Sequence, residues 1–340
     1  MARKIAVVLF NLGGPDSLRA VRPFLFNLFN DGAIIRQPQP LRALIAFAIS
    51  AARAKLARAN YEIMGGRSPL LPETQAQAAA LGARLVGEPC DFRVFIAMRY
   101  WKPFAADAAE QARAWGAEDA ILVPLYPQFS TTTTGSAIAA WRKEWPGPTH
   151  TLCCMPTADD LASAHAERIL EAWREGGAPP NPRVLFSAHG LPKQIVEAGD
   201  PYQWQVEQTV AAVRAKLPGA WQARICYQSR VGPLEWIGPS TEEEIDRAIA
   251  DRAGLIVSPI AFVSEHVETL VELDRDYAAR AKPLPFYLRA KTLGVADSYI
   301  SLLAAQVRRI ARAPSAVSCE AGARLCPRAF DKCPLTESAS

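Results

Sequence analysis

The amino-acid sequence predicts an α/β protein of two Rossmann-like domains, each a parallel sheet flanked by helices. Three observations carry this. Short, continuously apolar runs recur along the chain, as strands buried on both faces require. Segments with helical periodicity separate them, which is the alternation of a parallel sheet with its crossover helices. A Gly/Pro-rich break at residues 176–182 (GGAPPNP) separates one such series from a second.

In the first series, residues 4–12 (KIAVVLFNL) form a strand that ends in Gly13-Gly14-Pro15-Asp16, a tight turn whose glycines would let backbone approach a ligand. It is not the GxGxxG dinucleotide fingerprint. Residues 92–100 (FRVFIAMRY), 120–127 (AILVPLYP) and 150–155 (HTLCCM) are further strands, with helical patterns at 73–86 and 105–115. In the second series, 183–187 (RVLFS), 223–227 (ARICY), 254–259 (GLIVSP) and 285–288 (PFYL) are strands, with helices at 202–216 and 242–250. The domain boundary is placed near Pro156, giving domains 1–155 and 156–308, facing a cleft, and a Cys-bearing tail, 309–340.

Net charge is +4, too small to argue for nucleic acid. No apolar run reaches the eighteen or so residues of a membrane span, and Met1-Ala2-Arg3-Lys4 leads into a strand without signal-peptide architecture. A cytoplasmic protein is expected, in which seven cysteines are thiols or ligands rather than disulfides. Monomer and homodimer stay equally open.

Ligands of open parallel sheets bind beyond the carboxyl ends of the strands. That rule selects residues 11–14, 99–101 and 128–135 in the first domain, and 187–190, 228–230 and 262–268 in the second. The last group opens a stretch read as helical, 264–276, in which Glu268, Glu272 and Asp276 stand at i, i+4 and i+8 on one face, with Glu265 joining them. No Lys or Arg answers Glu265, Glu268 or Glu272 four residues on, while Arg280 answers Asp276. The face is either solvated or a ladder of hard oxygen ligands for a divalent cation. Of four histidines, His165 reads as a surface residue and His150 carries no further signal; His189 ends a strand, where it could meet Glu268 as a metal site or a proton-transfer pair. His266 reads either as an orienter of that pair or as a packed core residue.

Arg99, Tyr100 and Trp101 offer a cation and two flat rings, suited to a flat ligand with carboxylates, or simply a capped strand end. The hydroxyls of residues 130–134 cap the next helix; without Gly-Lys-Ser/Thr they are no nucleotide loop. Residues 41–58 form an amphipathic helix with an apolar stripe (Leu41, Leu44, Ile45, Ala48, Ile49) and Arg42, Arg53, Lys55 and Arg58, able to lie on an anionic membrane or to cover the cleft. Cys319, Cys326 and Cys333 suggest an iron–sulfur or zinc site one ligand short, with Cys153, Cys154, Cys226 and Cys90 as candidates for the fourth.

Taken together, these residues resemble the ferrochelatase family, over essentially the whole length. The segments that carry the resemblance are residues 9–16 (LFNLGGPD), 61–69 (YEIMGGRSP), 125–135, 186–191 (FSAHGL), 227–239 (YQSRVGPLEWIGP) and 259–274 (PIAFVSEHVETLVELD). The resemblance implies a chelatase-type pair of pseudo-symmetric domains and insertion of Fe2+, the metal substrate, into protoporphyrin IX with release of two pyrrole protons. It makes His189 and Glu268 the catalytic pair, with Glu272 and Asp276 an acidic path for the metal. Leu12, Arg99, Tyr100 and Tyr126 match porphyrin-lining positions, with His266 beside them, and 37–60 matches a lip that touches the membrane. Cys319, Cys326 and Cys333 match a trio that holds a 2Fe–2S cluster in some members. The fourth ligand of animal members comes from the loop at 130–134, which here has no Cys, so Cys154 or Cys153 is expected instead. Coproporphyrin as the substrate, and a non-catalytic iron–sulfur or haem-binding module, are the competing readings.

Overall fold

A computed structural model describes residues 2–230 and 232–335 and divides the chain into two compact units. The first comprises Met1–Leu125, Ser130–Cys153 and Leu303–Ser318; the second comprises Tyr126–Phe129, Cys154–Leu302 and Cys319–Ser340.

The first unit is built on β1 (Lys4–Asn11), β2 (Asp91–Met98), β3 (Asp119–Pro124), β4 (Thr149–Leu152) and, late in the chain, β9 (Val317–Ser318), in the order β2-β1-β3-β4-β9 and parallel throughout. Val7 sits opposite Val94 on one side and Ile121 on the other, so β1 is the buried centre. Helix Ala105–Trp115 packs closely because Ala105, Ala108, Ala109 and Ala112 form a stripe of small residues at helical spacing against Val8, Phe10 and Leu122.

The second unit holds β5 (Arg183–His189), β6 (Gln222–Gln228), β7 (Leu255–Pro259) and β8 (Tyr287–Arg289), parallel in the order β6-β5-β7-β8. Helix Tyr202–Arg214 buries Val206, Val210 and Val213 on one face of the sheet. Leu273 and Tyr277 pack with Leu185 and Val257 on the other.

Three expectations are corrected here. The end of the chain is not a simple tail after residue 308. Helix Asp297–Arg312 buries Leu303, Val307 and Ile310, Arg308 pairs with Glu88 at 2.5 Å, and β9 extends the first sheet beside β4. Leu303–Ser318 therefore belongs with the first unit and Cys319–Ser340 with the second. His165 is not on the surface: it is 2% exposed in helix Asp159–Glu175, and burial drops its imidazole to about 3. Gly13 and Gly14 make room for the protein rather than for a ligand. A Cβ on Gly13 would meet Trp101 N at 3.0 Å and Met98 Cβ at 3.1 Å, and one on Gly14 would meet the Ser68 hydroxyl.

Candidate active site

His189 is the last residue of β5, and the next residue must be small. Gly190 donates its N–H to Gln228 O, and a Cβ there would lie 2.9 Å from that same oxygen. From the end of β7 the chain runs through Phe262 to His266 and then into a helix, which brings Glu268 beside His189: Nδ1 to Oε2 is 2.8 Å. Tyr202 donates its hydroxyl to His189 O at 3.0 Å and fixes the backbone behind the ring. His266 is buried, its Nε2 is 3.9 Å from the same Glu268 oxygen, its Nδ1 lies 3.1 Å from Ser264 O, and its ring sits against Phe262. It therefore stands beside the pair, held by its own loop.

The helix is not the α-helix expected from residue 264. It begins at Val267, and Glu268–Tyr277 is a ten-residue π-helix with i→i+5 bonding, where single-turn bulges are the rule. Gln228 supports the wider turn: it donates to Glu268 O at 2.9 Å and to Glu272 Oε2 at 3.2 Å, while accepting from Ser187 at 2.7 Å. Ser229, held in the left-handed region at φ 64°, gives a second hydrogen bond to Glu272 at 2.7 Å. A non-glycine residue in that conformation is strained, and such strain persists where the surroundings over-determine it. Both residues lie in the strand-end set picked from sequence, which assigned them no role; nothing in the pattern marks them as the supports of a carboxylate.

The electrostatics follow from this packing. Surrounding protein pulls the His189 imidazole down, but the charge and hydrogen bond of Glu268, with Glu272 behind, hold it above its usual value. Burial would raise Glu268, yet His189, His266 and Ser229 together bring it well below the ordinary carboxylate range. Glu272 goes the other way: burial and the neighbouring Glu268 charge push it up to about 7. Burial lowers His266, against the pull of Glu268, so it stays neutral. The site is thus a His189–Glu268 pair in which each group favours the charged form of the other, next to a second carboxyl pushed up toward neutrality.

The rest of the acid ladder is not assembled. Glu265 precedes the helix and is answered from far along the chain by Arg289 at 2.6 Å, which also binds Asp274. Asp276 is 47% exposed and pairs with Arg275 at 2.8 Å; Arg280, expected to answer it, binds Asp246 instead.

In the first unit, Tyr100 is buried and donates its hydroxyl to Asp31 at 2.8 Å, and Arg99 pairs with the same carboxylate at 2.8 Å. Ser136 also bonds Asp31 and receives Arg99 Nε at 2.6 Å. Burial alone would raise Asp31, but the Ala33 N–H, Ser136, Arg99 and Tyr100 outweigh it and hold the carboxyl low. The polar ends of Arg99 and Tyr100 are thus committed within the protein, and Asp31, which completes them, had no sequence signal. Arg99, Asp31, Ser136, Met98 and Phe104 line a cavity of about 590 Å³. Leu12 packs beside Tyr100 and accepts its N–H at 2.9 Å. In the second unit Tyr126 is half-buried at the start of its segment.

A ferrochelatase family model matches residues 4–311. A ferrochelatase of Phenylobacterium zucineum is 55% identical over 337 residues, 97% of each chain. The chain belongs to the ferrochelatase family. A ferrochelatase of Caulobacter vibrioides is 54% identical across 100% of both chains. This ferrochelatase-family chain is accordingly an enzyme that inserts iron into a porphyrin. Among solved structures, SirB from Bacillus subtilis with Fe3+ aligns over 91% of this chain and 95% of its own, with TM-score 0.56 and 12% identity. CbiX, the terminal enzyme of sirohaem biosynthesis in denitrifying bacteria, aligns over 90% and 99% with TM-score 0.51 and 14% identity. These likenesses concern the fold.

Ferrochelatase membership directs attention to the cysteines, none of which is in a disulfide. Gln205 Nε2 lies 3.1 Å from Cys326 Sγ and 3.4 Å from Cys154 Sγ. The hydrogen bond from Cys326 brings the Cys333 thiol down to about 6, against burial. Glu320 N donates to Cys154 O at 3.1 Å, and the neighbouring Cys319 thiol donates to Ala323 O. Cys153 lies in the first unit and donates its N–H to Ser318 O. Cys226 is inside β6 and bonds Thr241, and Cys90 precedes β2. Among the described residues no three His, Cys, Asp or Glu side chains close on one ion. Cys154, Cys319, Cys326 and Cys333, all buried in the second unit, supply the four thiols that an iron–sulfur or zinc group would need.

Proposed function

We propose that the enzyme converts protoporphyrin IX and Fe2+ to protohaem at His189 and Glu268, with Glu272 as the inner step of the metal's path. The observation that carries this reading is the 2.8 Å His189–Glu268 contact with Glu272 hydrogen-bonded alongside. In the resting site His189 holds a proton against Glu268. A dication exchanging water for Glu272 and then Glu268 oxygens offsets the charge that keeps that proton in place. His189, with 39% of its side chain open, then loses it to solvent and becomes the neutral acceptor for the two pyrrole protons in turn, passing the first to solvent before taking the second. Tyr202 and Gln228 keep the imidazole and the first helical turn fixed while charge moves. Mixing purified protein with porphyrin and Fe2+ and following absorbance tests the reading: catalytic spectral conversion supports it, and stoichiometric binding alone would reject it in favour of a carrier. Running protoporphyrin IX against coproporphyrin in the same assay decides the substrate.

Two finer features are part of the proposal. Cys154, Cys319, Cys326 and Cys333 would hold a 2Fe–2S cluster, a one-electron centre. A brown protein that Cys326→Ser bleaches is expected, and a colourless anaerobic preparation would reject the cluster. Helix Leu41–Ile63 would rest on a membrane surface. It buries Ala46, Ser50, Ala54 and Tyr61 and leaves Leu41, Leu44, Phe47 and Leu56 exposed among Arg42, Arg53, Lys55 and Arg58. Over residues 41–56, large apolar residues outside and small ones inside invert the pattern of an ordinary surface helix. No helix among the described residues is long and apolar enough to cross a membrane. Co-sedimentation with anionic vesicles, reduced in Leu44→Glu/Phe47→Glu, is the check.

A further inference from the structure

Gln205 lies in helix Tyr202–Arg214 with none of its surface exposed, and both ends of its amide are committed. Its Oε1 accepts the Phe129 N–H at 2.7 Å. Only the carbonyl end can do this, so the orientation of the amide is fixed and its NH2 group faces sulfur: Cys326 at 3.1 Å and Cys154 at 3.4 Å. A neutral thiol is a weak acceptor, whereas a thiolate, bare or metal-bound, takes N–H hydrogen bonds that tune its chemistry.

Phe129 ends the short segment Tyr126–Phe129, which is fastened at three successive residues. Met155 N donates to Pro127 O at 2.8 Å, Gln128 donates to Thr209 Oγ1 at 2.9 Å, and Phe129 donates to Gln205. Thr209 in turn donates to Gln205 O at 2.9 Å. Tyr202, three residues before Gln205 on the same helix, holds His189 O. One helical face, residues 202, 205 and 209, therefore touches the catalytic histidine's backbone, the two sulfurs and the Tyr126 segment.

We infer that Gln205 is a positioning residue that joins the sulfur pair to the Tyr126 segment, so that the chemical state of Cys154 and Cys326 sets how firmly that segment is held for porphyrin. The inference rests on the cluster reading above, in which Cys154 and Cys326 are thiolate ligands, and on the family resemblance for the porphyrin-lining role of Tyr126.

The test uses the full chain, purified anaerobically, as wild type, Gln205→Leu, Gln205→Glu, Cys326→Ser and the Gln205→Leu/Cys326→Ser pair. Porphyrin KM, kcat, visible spectrum, acid-labile sulfide and thermal midpoint are measured for each. Gln205→Leu strands the Phe129 N–H and is expected to raise porphyrin KM about five-fold while kcat stays within about two-fold. Cys326→Ser raises KM by a similar factor, and the double variant is no worse than either single one, because both break one connection. Gln205→Glu still accepts from Phe129 but presents lone pairs to the sulfurs. It is expected to raise KM by a factor similar to that of Cys326→Ser, because the sulfur link is lost while the Phe129 bond stays, and to alter the spectrum and lower the sulfide content. An unchanged KM in a normally melting Gln205→Leu, or KM effects that multiply in the double variant, overturns the inference. Should Gln205→Leu not fold, a Gln205→Glu protein with wild-type spectrum and sulfide overturns it. Wild-type protein without colour or sulfide overturns the cluster reading alone, and the KM comparison then decides Gln205 on thiols.

Discussion

The strand ends of the two units solve the same electrostatic problem in opposite ways. In the first, one buried carboxylate, Asp31, is surrounded by donors from Arg99, Tyr100, Ser136 and the Ala33 backbone, and its charge is settled. In the second, two carboxylates share one helical face beside His189, and they cannot both be satisfied, so Glu268 is driven down and Glu272 up. A closed network gives shape; an unbalanced one gives groups whose protonation a cation can change. Acid and base assignments are found where neighbouring groups have their pKa values pushed apart.

The sharpest way to break this contrast is to remove the unbalanced pair. His189→Ala or Glu268→Ala should lower metalation by at least about 10³-fold, the range of a lost acid–base group, while porphyrin still binds by fluorescence quenching. Turnover near wild type in either variant would take that residue out of the chemistry. In the closed network the effect should fall on stability instead. Asp31→Ala leaves Arg99 half-buried without its partner and should cost about 3 kcal/mol by denaturant midpoint, with kcat retained in the folded fraction. A proportionate loss of kcat would mean the first unit does more than hold shape.

How much of this was legible in the sequence differs between the two regions for a physical reason. Continuous apolar runs marked all four strands of the second sheet and four of the five in the first, because a buried parallel strand cannot hide its composition. The strand-end rule selects both His189, the last residue of β5, and Glu268, nine residues beyond β7, which the structure puts in contact. Two-residue β9 is too short to have a pattern. Asp31 and Gln205 are polar residues whose side-chain partners, the Ala33 N–H aside, are 51 or more positions away, and neither period nor composition encodes such a pairing. The π-helix escaped notice because Glu268, Glu272 and Asp276 fit an α-helical face on paper. Helix type is decided here by Gln228 and the Ser229 turn, which come from another strand.

Glu272 sharpens the comparison through pH. Its carboxyl is raised to about 7 from 4.5, so the native state holds the extra proton between those values and stability falls as pH rises through that window. Glu272→Gln lacks this loss and should gain on wild type by about 1–2 kcal/mol between pH 5 and pH 8. The same variant should lose about ten-fold in kcat/KM for Fe2+ with porphyrin affinity unchanged, since an amide oxygen is a poorer ligand than a carboxylate. Wild-type kcat/KM for the metal should rise toward pH 7 as Glu272 ionises, and Glu272→Gln should flatten that limb. A limb that persists in the variant would assign the titration to another group.

The smallest effect is expected at Asp276, and it tests where the acidic path ends. Eight residues beyond Glu268, this side chain is 47% exposed and tied to its neighbour Arg275. An exposed pair of this kind contributes about 0–1 kcal/mol, and salt screens whatever field it offers an approaching cation. Asp276→Asn should therefore leave kcat/KM for Fe2+ within about two-fold at physiological ionic strength. Repeating the measurement at low salt separates the two roles left to it. A long-range attraction would make the variant slower only at low ionic strength, whereas a direct ligand would make it slower at every salt concentration. The second result would extend the path from Glu272 to the surface, which the Asp276–Arg275 pairing argues against.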